Sequence, residues 1–337
     1  MKFVDLPLSD PILKAVNGEG YTTATPIQAR TIPHTIDGRD ILGCAQTGTG
    51  KTAAFALPLL HRLLSQDAAP RSRQPRVLVL APTRELTEQI HQSFRTYGRH
   101  TPLRSTVVYG GVGQGPQVKA LRRGVHILAA TPGRLLDLIQ QGHCDLSATE
   151  VLVLDEADRM LDMGFMPDIK KIIAPLPKRR QTLLFSATMP QAIRQLAGSL
   201  LRDPAEVTVK SESPAVERIA QSVYHVARSE KTTLLKQLLE THPISRAIVF
   251  TRTKHGADRV ARQMKRSGVG AEAIHGDKSQ GARRHALNRF RNGQAPVLVA
   301  TDIAARGIDV EGISHVVNYD IARDPESHVH RIGRTAR

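Results

Sequence analysis

Short apolar runs alternate with helical patterns along the whole of this 337-residue chain. Apolar runs of about 4–6 residues are typical of strands buried on both faces, and their alternation with helices predicts parallel sheets. The runs predict strands at residues 41–44, 77–80, 105–109, 125–129, 151–154, 182–185, 221–226, 247–251, 270–274, 297–300 and 315–318. The chain is therefore predicted to have an α/β fold with its sheets flanked by helices.

The strands fall into two series, separated by a polar segment at 203–214 that contains two prolines. A single core rarely grows beyond about 250–300 residues, so a chain of this length favours two domains. We predict a first domain at 1–205, a linker at 206–216 and a second domain at 217–337. The two halves look like two copies of one architecture.

The chain carries a net charge of +16, which is spread over both halves. Residues 217–337 contribute 21 − 12 = +9, and the first 216 residues contribute 26 − 19 = +7. A polyanion bound by both domains explains this distribution, and a solvated basic surface is the alternative. With no Trp, five Tyr and seven Phe, the chain offers few platforms for stacking bases. We therefore expect a nucleic acid to be held by its phosphates and sugars, with little sequence specificity.

The sequence also predicts where the protein is found. Its two cysteines have neither zinc-site spacing nor the density of a disulfide scaffold, which indicates a reducing compartment. No apolar run resembles a signal peptide or approaches the ~18 residues that span a bilayer. We expect a cytoplasmic protein with no membrane association.

A glycine-rich segment, Ala-Gln-Thr-Gly-Thr-Gly-Lys-Thr at 45–52, follows the first strand and precedes a predicted helix at 53–64. Such a turn cradles phosphates with backbone N–H groups. Lys51 would neutralise the charge of the β- and γ-phosphates, and the Thr52 hydroxyl would bind Mg²⁺. Ala45 stands where the general pattern has glycine.

Three carboxylates follow the strand at 151–154, namely Asp155, Glu156 and Asp158. Acids at the carboxyl end of a buried parallel strand lie where open α/β sheets bind ligands, and they repel one another unless a cation or proton separates them. Asp155 would hold Mg²⁺, and Glu156 would accept a proton from attacking water. A helix N-terminus with its usual acids is the alternative interpretation, and it explains the full cluster poorly.

The ordered set of motifs resembles the DEAD-box ATP-dependent RNA helicases, with the bacterial RhlE-like subgroup the most similar. Residues 155–158 read Asp-Glu-Ala-Asp, the motif that names the family, and residues 45–52 have the family's own form of the phosphate loop. The remaining matches, in the family's order, are Phe3 with 20–28, 82–86, 110–111, 131–134, 186–188, 250–252, 275–277, 280–283, 301–302, 305–309 and 330–337.

The resemblance implies two tandem RecA-like domains that bind ATP, Mg²⁺ and RNA, with closure of the domains separating a short RNA duplex locally. The expected ATP ligands are Phe3, Gln28, Gln46, Thr47, Gly48, Thr49, Gly50, Lys51, Thr52, Gly307, Asp309, Arg334 and Arg337. The expected RNA contacts are Pro82, Thr83, Arg84, Gly111, Thr131, Arg134, Arg252, Gly276, Thr301 and Arg306. Residues expected to couple hydrolysis to unwinding are Asp158, Ser186, Thr188 and His330.

Within these sets the resemblance implies particular roles. Phe3 and Gln28 would recognise adenine, and Asp309 the ribose. Arg334 and Arg337 would stabilise charge on the γ-phosphate.

Three other functions are open from the sequence alone: a DNA helicase of the same superfamily, a non-catalytic ATP-gated RNA clamp, and a P-loop signalling or transport NTPase. The chain ends at Arg337, before a strand and helix with which family members continue, so we expect the second sheet to be incomplete. A monomer is the default expectation for such a core. Ribosome-assembly and RNA-decay proteins are both candidate partners.

Overall fold

The apolar runs of the first half form a seven-stranded parallel sheet in this computed structural model. The structure describes residues 1–337 except 47, 67–68, 210–218, 306–309, 311, 323 and 336–337, and it omits the side chains of Ile303, Glu326 and His330. The chain divides into two compact units, Met1–Lys210 and Ser211–Arg337.

The first sheet has the strand order β3-β4-β2-β5-β6-β1-β7. Its strands are β1 (Ile41–Cys44), β2 (Val77–Leu80), β3 (Ser105–Val108), β4 (Ile127–Ala130), β5 (Val151–Leu154), β6 (Gln181–Ser186) and β7 (Ala205–Thr208). The unit's helices are α1 (Asp10–Gly18), α2 (Pro26–Ile36), α3 (Lys51–Ser65), α4 (Arg84–Tyr97), α5 (Gly115–Arg122), α6 (Pro132–Gln140), α7 (Ala157–Asp162), α8 (Met166–Ile173) and α9 (Gln191–Leu200), after a 3₁₀ turn at Phe3–Asp5.

Helices cover both faces of this sheet because successive strand residues point to opposite sides. In β2, for example, Val77 and Val79 join a core formed with α1 to α4. Leu78 and Leu80 join a second core formed with α5 to α9. Strands that bury both faces have no polar side to show, which is why they read as continuous apolar runs.

The second unit contains a four-stranded parallel sheet in the order β11-β8-β10-β9. Its strands are β8 (Ala247–Phe250), β9 (Ala271–Ile274), β10 (Val297–Ala300) and β11 (His315–Asn318). Its described helices are α10 (Lys231–Thr241), α11 (Lys254–Arg266), α12 (Gln280–Arg291), α13 (Asp302–Ala305) and α14 (Pro325–Ile332). The fold class predicted from the sequence, two parallel sheets flanked by helices, is confirmed.

One strand predicted at the start of the second half is wrong. The segment 221–226 forms no strand, and Val223 and Tyr224 are 83% and 50% exposed. Its β-branched and aromatic residues suit a strand, but among the described residues no neighbouring strand pairs with it.

The predicted linker at 206–216 overlaps β7, which pairs with β1 and buries Ala205 and Val207. Burial of every second residue adds this short strand to the first sheet. Residues 210–216 of the predicted linker, and 217–218 of the predicted second domain, lie outside the described residues.

Candidate active site

Most predicted site residues of the first unit follow six neighbouring strands at the same edge of the sheet, whereas Phe3 and Gln28 precede β1. All these strands are parallel, so their carboxyl ends meet there. The segments that leave this edge begin at Ala45, Ala81, Tyr109, Thr131, Asp155 and Ala187. Among the described residues, the topology thus brings together the phosphate loop, the carboxylate cluster and the predicted RNA contacts of this unit.

The phosphate loop turns sharply into α3. Gly48 and Gly50 have φ angles of 84° and 90°, a left-handed conformation that disfavours other residues. Lys51 is 6% exposed, and its Nζ donates to the carbonyls of Ala45 at 2.7 Å and Gln46 at 2.8 Å. The lysine therefore closes the loop upon itself at the N-terminus of a 15-residue helix, an arrangement suited to an anion.

Burial lowers the pKa of Lys51, and the nearby carboxylates of Asp155, Glu156 and Asp158 oppose that effect. The lysine charge is thus held next to the acids that follow β5. Thr52, also in the first turn of α3, is half-buried.

Gln28 connects α2 to the phosphate loop. Its Oε1 accepts a hydrogen bond from the Thr25 N–H at 2.9 Å, and its Nε2 donates to the Gly50 carbonyl at 3.1 Å. A Cβ atom at Gly50 would collide with Nε2. The predicted adenine-reading residue is therefore fixed against the turn that begins α3.

Phe3, the other predicted adenine contact, is 3% exposed and packs in the core with Leu6 and Ile12. Its backbone N–H donates to the Thr22 carbonyl at 3.0 Å. The structure thus places this ring as a core anchor, and its contact with adenine stays a prediction.

Asp155 is the most unusual group at this edge. It is 2% exposed, and within the described part of the chain its Oδ1 has no hydrogen-bond partner. Burial raises the pKa of this carboxyl to about 7, Lys51 lowers it, and Glu156 adds to the rise. A buried carboxylate oxygen without a partner is unfavourable unless a cation or proton satisfies it.

Glu156 begins α7 with a φ of 54°, a left-handed conformation uncommon for a residue with a side chain. Its carboxylate forms an ion pair with Arg159, and both side chains are almost fully buried. This pairing holds the Glu156 side chain in one orientation. Arg159 was not among the residues predicted from the sequence, although its position three residues after an acid indicates such a pair.

Asp158 ties the end of β5 to the end of β6. Its Oδ2 accepts hydrogen bonds from the Ala187 N–H at 3.1 Å, the Thr188 N–H at 2.8 Å and the Thr188 hydroxyl at 3.0 Å. The Ser186 hydroxyl accepts from the Asp158 N–H at 3.2 Å and donates to the Thr188 carbonyl at 2.7 Å. These three predicted coupling residues therefore form one network.

The predicted RNA contacts of the first unit gather around a glycine turn. Gly111 has a φ of 77°, and a Cβ atom there would collide with the Arg84 guanidinium. Arg134 donates to the Val112 carbonyl at 3.3 Å. The other three contacts, at the ends of β2 and β4, are the buried residues Pro82, Thr83 and Thr131.

Three predicted RNA contacts of the second unit follow its parallel strands in the same way. Arg252 follows β8, Gly276 follows β9, and Thr301 follows β10. Arg252 is exposed, and its backbone N–H donates to Asp320 at 2.9 Å. The side chain of Arg334 is buried.

Several predicted residues of both units fall outside the part of the chain that the structure describes. Thr47, Arg306, Gly307, Asp309 and Arg337 lie outside the described residues, as does the side chain of His330.

Arg331 organises this unit, although the sequence analysis assigned it no role. Its guanidinium donates to both carboxylate oxygens of Asp302, at 2.6 and 2.8 Å, and to the Asn318 side chain at 3.0 Å. It also donates to the Asp320 carbonyl at 2.6 Å and lies 5.0 Å from the centre of the Phe250 ring. One buried side chain thereby joins the ends of β8, β10 and β11.

Comparison with known proteins agrees with this arrangement. The family model described as DEAD/DEAH box helicase matches residues 25–196, and the model described as Helicase conserved C-terminal domain matches residues 230–337. The chain belongs to the DEAD/DEAH box helicase family. The narrower RhlE-like assignment stays a prediction.

The curated relatives include the ATP-dependent RNA helicase DeaD of Escherichia coli (strain K12), which is 47% identical over 333 residues, 98% of this chain and 52% of that protein. The DEAD-box ATP-dependent RNA helicase CshA of Bacillus cereus is 46% identical over 335 residues, 99% of this chain and 63% of that protein. The chain thus spans about half to under two thirds of the length of these relatives.

Two solved structures share the fold. Dbp5 of S. cerevisiae, bound to RNA and ADP BeF3, is 30% identical with a TM-score of 0.84, covering 100% of this chain and 86% of that chain. A DEAD box protein from Methanococcus jannaschii is 38% identical with a TM-score of 0.59, covering 100% and 90%. Both units therefore have the RecA-like fold of this family.

Proposed function

We propose that this chain is an ATP-dependent RNA helicase that hydrolyses ATP to ADP and phosphate when RNA is bound. The free energy of ATP binding and hydrolysis would drive local, non-processive separation of short RNA duplexes or remodelling of RNA–protein complexes. The observation that carries the proposal is the buried Asp155 oxygen beside Lys51 at the carboxyl edge of the sheet, which has no hydrogen-bond partner among the described residues. The Dbp5 structure with RNA and ADP BeF3 supports the same choice of ligands.

The phosphates of ATP would bind at the N-terminus of α3. Backbone N–H groups of the glycine turn point towards an anion at such a terminus, and the helix dipole adds to the attraction. Lys51 would exchange its bonds to the Ala45 and Gln46 carbonyls for bonds to phosphate oxygens. This exchange leaves the lysine charge in place, so binding needs little rearrangement.

The residues at this edge fit Mg²⁺ as well. Carboxylate and hydroxyl oxygens are the ligands that this hard cation prefers, and Asp155 offers a buried oxygen with no partner among the described residues. Asp155 and Thr52 would hold the ion, which supplies positive charge to the β- and γ-phosphates when bound.

Glu156 is the proposed proton acceptor. The ion pair with Arg159 fixes its carboxylate, which places an acceptor at the same edge as the phosphate loop. As the water oxygen bonds to the γ-phosphorus, the water proton would pass to Glu156 and the bond to ADP would break. General-base catalysis of this kind contributes roughly 10²–10⁴-fold to the rate.

The Asp158 network supports coupling between hydrolysis and RNA binding. A change at the end of β5 would be passed to the backbone at 187–188, because three hydrogen bonds from these residues converge on one carboxylate oxygen of Asp158. RNA would be held at the ends of β2, β3 and β4 on the same edge, largely through phosphates and sugars. Short rigid elements thus join the two events.

The location, oligomeric state and protein partners of the chain are predicted from its sequence alone. No helix among the described residues is long and apolar enough to cross a membrane. The cytoplasmic location, the monomeric state, and partners in ribosome assembly or RNA decay stay predictions, as do the roles of Arg334 and of the undescribed residues.

The proposal is tested by following ATP hydrolysis and separation of a short RNA duplex in one reaction, with Lys51→Ala as the inactive comparison. We expect the unmodified chain to hydrolyse ATP and release the strands, and the variant to do neither. ATP-dependent RNA binding without turnover would replace the proposal with the clamp. Equal action on RNA and DNA duplexes would replace it with a DNA-acting helicase, since only RNA offers 2′-hydroxyls.

A further inference from the structure

A positively charged cavity lies between α5 and the loop that follows α6. It has a volume of about 530 Å³, and Lys119, Arg122, Arg123 and His143 line it. Among the described residues that form its wall there is no carboxylate, and the imidazole of His143 is the one aromatic ring. Such a lining suits an anion and offers little surface on which a base could stack.

This charge is uncompensated. Lys119, Arg122 and Arg123 are exposed, and within the described ranges none of them forms an ion pair. The two nearest acids in the sequence are engaged elsewhere. Asp137 lies 3.4 Å from Arg134 and accepts from Gln141 at 2.7 Å.

The second of these acids, Asp145, accepts hydrogen bonds from Gln74 at 2.5 Å and from the Ser147 N–H at 2.9 Å. The side-chain bond from Gln74 and the Ser147 backbone bond keep the pKa of Asp145 below its usual value, although burial opposes them. It therefore stays bound to these partners as an anion. Within the described part of the chain, no acid supplies the positive cavity with a counter-charge.

The sequence shows the same bias over a longer range. No Asp or Glu occurs between Glu88 and Asp137, while seven Lys and Arg residues do. A surface with one sign of charge attracts a polyanion, and this stretch contains three of the predicted RNA contacts, Gly111, Thr131 and Arg134.

A short chain of contacts connects those RNA contacts to the cavity. Arg134 binds the Val112 carbonyl, next to Gly111. Gln114, which lines the cavity, donates to Gln141 at 2.9 Å. Three residues span at most about 11 Å, so the cavity begins within that distance of Gly111.

We propose that this cavity and the exposed face of α5, together the α5 patch, bind the backbone phosphates of RNA that extends beyond the segment held by the predicted RNA contacts. The inference rests on the proposed function and deepens it, since it adds a second RNA site to the first unit. Lys and Arg here contact phosphate alone, so the site is independent of base sequence. With this second site, the protein binds a longer RNA more tightly than a shorter one.

The test compares a triple variant, Lys119→Gln, Arg122→Gln and Arg123→Gln, with a matched control, Lys170→Gln, Lys171→Gln and Lys178→Gln. The control removes the same charge from exposed lysines of the same unit. The RNAs are the shortest strand that stimulates ATP hydrolysis by the unmodified chain, and that strand extended at its 5′ or 3′ end. Affinity is measured by fluorescence anisotropy over a range of salt concentrations, and circular dichroism confirms that each variant folds.

We expect the patch variant to lose roughly tenfold in affinity for one of the extended RNAs, with a fall of about two in the slope of log affinity against log salt, since each single-strand phosphate contact contributes about 0.7. Its affinity for the shortest RNA and its stimulated ATP hydrolysis should match those of the unmodified chain. The control should behave as the unmodified chain throughout.

Equal affinities of the patch and control variants for both extended RNAs would overturn the inference and point to a different, acidic partner such as a protein. Weakened binding of the shortest RNA would also overturn it, because the patch would then belong to the main RNA site. Absence of RNA-stimulated hydrolysis in the unmodified chain would instead overturn the proposed function, and the α5 patch with it. Stimulated hydrolysis without any preference for extended RNA would overturn the α5 patch alone.

Discussion

Replacing Asp155 with Asn should stabilise the protein while abolishing its proposed activity. Asp155 is 2% exposed, and its Oδ1 lacks a partner among the described residues. Asn has nearly the same shape and no charge, so the substitution removes an unfavourable buried carboxylate. The same substitution removes the negative charge that would hold Mg²⁺ and so should prevent turnover.

The size of the stabilisation follows from the pKa of Asp155. A rise from the ordinary 3.8 to about 7 means that the folded state binds the proton more tightly. Each tenfold change in proton affinity corresponds to about 1.4 kcal/mol, so the ionised carboxylate destabilises the fold by at most about 4 kcal/mol. Because the folded-state pKa of Asp155 is raised, the protonated carboxyl contributes its full stabilisation of the unmodified chain below pH 3.8. This stabilisation is lost as the pH rises to about 7.

The advantage of the Asn variant should therefore be about 2 kcal/mol at pH 5 and about 4 kcal/mol at pH 8. Urea unfolding followed by far-ultraviolet circular dichroism measures it, since the chain has no Trp for fluorescence. Asp10→Asn, at an exposed position, is the matched control and should change stability by less than about 0.5 kcal/mol.

Stabilisation by bound nucleotide provides a second comparison between the Asn variant and the unmodified chain. Mg²⁺ with ADP at about 100 times its dissociation constant should stabilise the unmodified chain by about 2.7 kcal/mol, and the Asn variant by much less. An Asn variant no more stable than the unmodified chain at pH 8 would refute the reasoning, because Asp155 would then not be an unsatisfied buried charge.

Three further predictions concern the other contacts of the two units. Glu156→Gln should keep nucleotide affinity, measured by titration calorimetry, while lowering turnover by roughly 10²–10⁴-fold, and turnover near the unmodified rate would remove Glu156 from the proton-acceptor role. Gly50→Ala should weaken nucleotide binding and lower the free energy of unfolding by about 1–3 kcal/mol, because the methyl group meets Gln28 and the φ angle is 90°. Unchanged binding would show that the turn tolerates a side chain. Arg331→Lys should destabilise the second unit by about 2–4 kcal/mol, because lysine cannot reproduce the bidentate contact with Asp302. Calorimetry measures this change, and an unchanged melting temperature would contradict the structural role of Arg331.

The sequence predicted the sheets and the position of the site because both depend on local patterns. Short apolar runs identify parallel strands, and parallel strands bring whatever follows them to one edge. Asp155 and Lys51 are distant in sequence, yet topology alone implies that they meet. Ten of the eleven predicted strands overlap a strand of the structure.

Long-range pairing explains what the sequence did not reveal. The strand at 205–208 is short and half polar, and only its pairing with β1 makes it part of the sheet. At 221–226 the residue types favour a strand, but within the described structure no strand is available to pair with it. Secondary structure at such positions depends on partners that a local pattern does not contain.

The burial of two arginines was also not evident from the sequence. Arg159 and Arg331 lie in charged motifs and look like surface residues, because Arg is rarely buried unless it is paired. Their partners, Glu156 and Asp302, are respectively three and 29 positions away. The structure shows both arginines as internal clamps that hold predicted site segments in place.

The most direct test of the central claim is steady-state ATP hydrolysis by the unmodified chain with increasing single-stranded RNA, beside single-stranded DNA of the same sequence. We expect turnover to rise with RNA to a plateau and to stay at its basal level with DNA. An equal rate with RNA, with DNA and with neither would contradict the proposed RNA-dependent ATPase.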